Sequence, residues 1–349
     1  MASMLEIPPG MKIAAQMSPE PSEEDLAFVR QMGVDYVVLW TTGENAHYDY
    51  YASRRRLFEN HGLKIYGFGN SDVHNQDAIV LNLENRDAKV AEYKNHLRAL
   101  GKAGIPYTTY AHMANGIWST ERELTRGGSD ARGFNLATAT SGRWQDQRFQ
   151  LPFSHGRRYT ADEIWSNYAS FVAEVAPVAE SEGVRIGIHP DDPPQPELAG
   201  VPRCIFSSHE GYDRALQVAD SPNVGVCFCI GCWLEGGSLM GKGVEESILD
   251  FGGRSKIFKV HFRNVDAPLP HFVETFVDDG YFDMYKAMKA LQKVGFDGVL
   301  IPDHIPNMAG HPRVGTAFTI GYMKALVRRA EDEVWSETGH ENPDPDRFS

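Results

Sequence analysis

The chain has 349 residues, 42% hydrophobic and 23% charged, with a formal net charge of −13 at pH 7. That is enough sequence for one large α/β barrel or two smaller domains, and its acidity argues against nucleic acid or an anionic membrane as the main partner. A small anionic substrate stays open, because a local arginine and a metal ion outweigh a distributed surface charge.

No apolar run approaches the ~20 residues that a membrane helix needs. The opening "MASMLEIPPG" lacks the basic and apolar regions of a signal peptide. Three of the four cysteines crowd into "VCFCIGC" at positions 227, 229 and 232 instead of framing disulfides. A reducing, cytoplasmic setting is therefore expected.

Along the chain, short apolar or β-branched runs alternate with helical patterns. The first strand is expected at 11–16 and is followed by a helix at 22–33. Strands at 36–40 and 64–69 precede a helix at 85–104, and "YTTYAH" (107–112) follows it. After a long stretch, "TADEIWSNYASFVAEVAPVAESEG" reads as a helix over 160–183. Thr160 and Glu163 form a capping box, Ile164, Tyr168, Phe171, Val172 and Val175 share one apolar face, and Gly183 ends it.

"VRIGIHP" (184–190), a helix at 208–219, "VGVCFC" (224–229) and "KIFKVHF" (256–262) come next. A helix at 283–295, capped by Asp283, then leads to "GVLIPDH" (298–304) and a last helix at 316–332. The strand runs are continuous, as expected for parallel strands buried on both faces. Eight of them interleaved with helices predict an α/β fold, a (β/α)8 TIM barrel spanning 1–349 as a single domain. A doubly wound sheet is the competing fold, but no glycine-rich turn follows the first strand. Residues 113–159, after strand 4, are too long for an ordinary loop and read as a lid-like insertion; 263–282 is a second long connection. Residues 335–349 read as a polar tail.

Barrel chemistry sits at the C-terminal ends of the strands. Strand 5 ends in His189, strand 6 in Cys229, strand 7 in His261, and strand 8 in Asp303 followed by His304. Each side chain alone is more often a core or hydrogen-bonded residue. Two imidazoles, a thiol and a carboxylate on four successive strands are instead a ligand set, suited to Mn²⁺, Fe²⁺ or Zn²⁺. Cys227 is assigned to the opposite face of its strand and to the core; Cys232 fits either core or rim, with the core favoured.

Arg263, two residues past His261, is placed to grip a substrate carboxylate, with a surface salt bridge as its bland alternative. His304 is the candidate general acid or base. Glu274 is a candidate catalytic pocket carboxylate, or else a partner that supports one of the site residues. His74 and His112, following strands 3 and 4, and Trp118 and Arg122, on the long insertion, are candidate substrate contacts. Asp191 and Asp192 are read as fixing the loop after strand 5 and supporting ligands, with direct ligation as the alternative.

The stretch "IHPDDPPQPELAGVPR" (188–203) closely resembles the signature of the mannonate dehydratases. "GVCFCIG", "KVHFRNV", "FVETFVDDGYFDMYKAMKAL", "IPDH" and the segment 72–105 resemble further parts of that family. The likeness covers most of the chain, tightly over 187–304 and loosely near the start.

This resemblance implies a xylose-isomerase-like barrel that uses Mn²⁺ or Fe²⁺ to dehydrate D-mannonate to 2-keto-3-deoxy-D-gluconate in hexuronate catabolism. It implies His189, Cys229, His261 and Asp303 as ligands, His304 as the catalytic histidine, a small sugar acid as partner, and association into a homo-oligomer. Two departures stand out. The family's tyrosine before the last helix is missing, with Thr316 and Ala317 in "RVGTAFTIGYM", and Ile305-Pro306 replaces Gly-His after Pro-Asp-His. They leave open a related aldonate as substrate, a sugar isomerase or epimerase on the same barrel, or a non-catalytic sugar-acid binder.

Overall fold

The computed structural model describes residues 2–338. Among them, eight parallel strands close into a barrel: β1 (Lys12–Met17), β2 (Tyr36–Thr41), β3 (Lys64–Asn70), β4 (Tyr107–Ala111), β5 (Arg185–His189), β6 (Val224–Cys229), β7 (Ile257–Phe262) and β8 (Val299–Pro302). Each strand pairs with its sequence neighbours, and β8 closes on β1 through Lys12–Val299 and Ile13–Leu300. The main outer helices are α1 (Glu23–Gln31), α2 (Tyr48–Asn60), α3 (Arg86–Ala103), α4 (Ala161–Glu182), α5 (His209–Ala219), α6 (Val244–Gly253), α7 (Met284–Lys293) and α8 (Arg313–Thr338). None of the described helices is long and apolar enough to cross a membrane.

Side-chain alternation sorts each strand into an outer face under the helices and an inner face on the barrel axis. Ala14, Val38, Tyr66, Tyr107, Val299 and Ile301 form an apolar cluster separate from the larger core. Gly187 on β5 is required there, because a Cβ at that position would run into the Tyr107 ring. The inner layer plugs the barrel, so polar side chains one step further along β5–β8 emerge only at the mouth.

The helix signals behave as their chemistry requires. Thr160 and Glu163 make the reciprocal capping box of α4, and Gly183 closes it with φ 67°. Asp283 caps α7 by accepting from the Tyr285 backbone N–H. The sequence reading needs three corrections. It missed α2, whose buried stripe is only Tyr51, Ala52 and Phe58 among arginines and tyrosines. It also missed α6, which is framed by glycines. The last helix runs to Thr338, with Val334 and Ala330 buried, so the supposed tail begins as helix; 339–349 lie outside the described residues.

The two long connections fold against each other. Residues 113–159 carry short strands, of which Gly133–Asn135 pairs antiparallel with His271–Thr275 from the connection after β7. That strand in turn pairs with Asn264–Val265. Arg126 bonds bidentately to Asp278 across the same junction, at 2.9 Å for both contacts.

Candidate active site

The strand register brings the proposed ligand residues together. Cys229 sits opposite His261, and His261 opposite Ile301, so residue 303 continues the same inner row. His189 Nε2 lies 3.2 Å from His261 Nδ1. Asp303 Oδ2 lies 3.7 Å from His261 Nδ1 and 3.8 Å from Cys229 Sγ. Donor atoms each about 2.0–2.3 Å from one ion stand roughly 3–4 Å apart, so these spacings suit a shared divalent cation.

Cys229 and His261 are held in metal-binding forms, whereas His189, despite its burial, is raised by its hydrogen bond to Cys229 and by the nearby carboxylates. Burial opposes ionisation of the Cys229 thiol, but hydrogen bonding from Cys232, the Arg263 charge and His189 bring it down to about 5. Burial, Lys259 and His189 drive His261 well below the ordinary histidine value, leaving a neutral imidazole. A thiolate and a neutral imidazole nitrogen are donors that a divalent transition metal takes.

Of the other two cysteines in this run, Cys227 needs its facing corrected. Cys227 shares the inner face with Cys229, because positions two apart on a strand point the same way; its Sγ lies 3.4 Å from His261 Nε2. Cys232 is fully buried, as expected, and borders the cluster. Its backbone N–H donates to Cys229 Sγ at 3.4 Å, and its Sγ accepts from Arg263 Nη2 at 3.2 Å.

His304 stands beside this cluster with a left-handed backbone, φ 42°, which a non-glycine residue adopts only at some cost. Its Nδ1 is 2.7 Å from Glu274 Oε1 and 2.6 Å from Arg263 Nη1. Burial disfavours its charged form, but the Asp303 and Glu274 carboxylates more than offset that and raise it to about 9. A protonated Nδ1 donating to Glu274 satisfies both groups. Glu274 itself is held at about 2, against burial, by His304, Arg263 and Arg132.

Arg263 is not free to reach a ligand. Its side chain is 1% exposed and bonds Glu235 Oε1 at 2.7 Å and Glu274 Oε1 at 3.0 Å. The expected substrate grip is thus occupied by protein carboxylates. Sequence reasoning did not find Arg132 or Glu235, which complete this buried network. Arg132 Nη1 reaches Glu274 Oε1 at 2.9 Å, and its Nη2 is paired with Asp192. Asp192 is held low by Arg132 and Arg263 despite its burial, and burial with the nearby Asp192 charge raises Glu235 to about 8. Asp191 faces elsewhere: burial raises it to about 6, with Arg203 its main opposing charge.

The candidate substrate contacts divide. His74 lies at the mouth, its ring 4.8 Å from Trp40 and 5.1 Å from Trp144. Its Nδ1 donates to Thr109 O at 3.0 Å, and burial pulls it to about 3, so Nε2 is a neutral acceptor. His112 instead turns toward the helix layer, between Tyr168 and Phe206. Trp118 is fully buried, with its indole N–H on Asn115 O. Arg122 sits half-exposed on the insertion, paired with Asp130. These three are not gathered with the catalytic group, because local packing uses them first.

The sequence matches the family described as D-mannonate dehydratase (UxuA) over residues 18–332. The chain belongs to the mannonate dehydratase family. A mannonate dehydratase of Enterococcus faecalis is 30% identical over 299 residues, covering 76% of this chain and 78% of that protein. Mannonate dehydratase 2 of Halalkalibacterium halodurans is 29% identical over 300 residues, covering 79% and 83%. The crystal structure of mannonate dehydratase from Streptococcus suis serotype 2 superposes with a TM-score of 0.80 at 24% identity, covering 93% of this chain and 96% of that one. An L-ribulose 3-epimerase shares the barrel more loosely, with a TM-score of 0.61 at 12% identity over 96% and 100% of the two chains.

Proposed function

We propose that this family member is a hydro-lyase removing water from D-mannonate to give 2-keto-3-deoxy-D-gluconate, with Mn²⁺ or Fe²⁺ held by His189, Cys229, His261 and Asp303. The observation that carries the reading is a pair of overlapping donor groups around the ends of β5–β8, His189–Cys229–Cys232 and Cys229–His261–Asp303, with His189 Nε2 3.2 Å from His261 Nδ1 and His304 beside them. When bound, the metal supplies Lewis-acid stabilisation of negative charge developing on substrate oxygen.

The chain's own residues do the rest. Elimination takes a proton from C2 and releases the C3 hydroxyl as water; the resulting enol becomes the 2-keto acid. His304 exchanges a proton with the substrate through Nε2, the nitrogen not tied to Glu274. Glu274 orients the ring and stabilises its charged form. Arg263, spent on Glu235 and Glu274, fixes that carboxylate in place. His74 offers Nε2 as an acceptor to a substrate hydroxyl, with Trp40 and Trp144 as an apolar wall. The insertion over 113–159 covers the mouth and excludes water.

The test is turnover by the metal-reconstituted protein on C5 and C6 aldonates in D₂O, followed by NMR. A 3-deoxy-2-keto product from D-mannonate is expected. Exchange or inversion at C2 without loss of water would replace this reading by epimerisation, and binding without any change would make the protein a sugar-acid binder.

A further inference from the structure

We propose that Arg132 is a positioning residue that makes the insertion after β4 part of the dehydration machinery. The inference rests on the dehydratase reading of the site. Arg132 stands between the two short strands Ser129–Ala131 and Gly133–Asn135, far in sequence from every ligand residue. It is nevertheless the point where four separate segments of the mouth meet.

Its guanidinium is fully committed. Nε donates to Ser119 Oγ at 2.8 Å and Nη2 to Trp118 O at 2.9 Å, which fixes the arginine to its own insertion. The remaining N–H groups reach Asp192 after β5, Glu235 after β6 at 3.5 Å, and Glu274 after β7 at 2.9 Å. Behind it, the Phe272 ring centroid lies 5.6 Å away. A planar fork holding acids on both arms fixes their spacing in a way a single ammonium does not.

The functional consequence runs through Glu274. Its Oε1 is shared by Arg132, Arg263 and His304. Arg263, at the end of β7, ties that carboxylate to Glu235 at 2.7 Å and stands 3.5 Å from Asp192. Arg132 adds the tie to the insertion, through Ser119 and Trp118. Without that fork the Asp192 and Glu274 carboxylates lose the group that fixes their spacing, and like charges at that range separate. Glu274 then moves off Nδ1, and the imidazole loses its orientation.

The experiment compares Arg132→Lys and Arg132→Ala with Arg126→Ala in the metal-reconstituted protein. Arg126 joins the same two connections through Asp278 but lies outside the buried network. The expected result is a kcat loss of about 100-fold for R132A and about tenfold for R132K, with KM changed much less, as for a misplaced catalytic group. Added guanidinium ion restores part of the R132A rate, and R126A keeps the wild-type rate. Crystal structures carry the second readout: Glu274 Oε1 stays within hydrogen-bond reach of His304 Nδ1 in the wild type and leaves it in R132K.

Wild-type rates in R132K, or an R126A loss matching that of R132A, overturn the proposal; if R132A does not fold, R132K decides. If the wild type dehydrates no sugar acid, the functional reading fails, and the Glu274–His304 distance in R132K still decides whether Arg132 positions the pair.

Discussion

The two halves of the barrel mouth are built on one scaffold and carry different chemistry. Strands β5–β8 present His189, Cys229, His261 and Asp303, with His304 and the arginine–carboxylate network behind them. Strands β2–β4 lead instead to Trp40, His74 and, folded over from the insertion, Trp144. One half is charged and holds donor atoms a few ångströms apart. The other is neutral and aromatic, with a histidine that burial keeps uncharged. On the proposed dehydratase reading, the first half would meet the reacting end of a sugar acid and the second its polyol end, so substitutions in the two halves should separate catalysis from fit.

The largest effect is expected from the charged half. Cys229→Ser or Asp303→Asn should abolish stoichiometric metal binding by elemental analysis and remove turnover with it. A variant that keeps both would break the assignment of that half. In the aromatic half, Trp144→Ala should raise KM about three- to tenfold, the worth of one aromatic contact, while kcat moves less; steady-state kinetics on D-mannonate reads this directly. An equal loss in kcat would mean that the two walls are not separate.

Beneath both halves, Gly187→Ala should cost about 1–3 kcal/mol in denaturant unfolding through overpacking against Tyr107. Its metal content should stay that of the wild type. The smallest effect belongs to Arg122→Ala, outside either wall: stability within about 0.5 kcal/mol and unchanged kinetics. A KM effect there would extend the mouth to the outer insertion.

Legibility in the sequence followed the same divide. The placement of the proposed ligands was readable because a strand's period of two and its C-terminal end are local facts: a histidine closing an apolar run points to a known place. His304 followed from its position after Asp303. Arg132 carried no such signal. It lies between short, polar strands with no periodicity, and its role arises only when the insertion folds against residues some 60 to 140 positions away. The reading of Cys227 failed on alternation itself, since 227 and 229 share a face. His112 and Trp118 failed for another reason: both follow β4 in sequence, but neighbouring rings and a carbonyl hold them in the interior. Helix α2 was missed because its apolar stripe is narrow, so tertiary packing and not pattern stabilises it.

The central claim is that four side chains hold a metal while a fifth, His304, moves the proton. Metal content and turnover measured together on His304→Ala test it most directly. The account predicts a full complement of Mn²⁺ or Fe²⁺ and a rate on D-mannonate lowered about 100- to 10,000-fold, the range for a lost general acid or base. A protein that loses its metal, or one that keeps its metal and its rate, would contradict it.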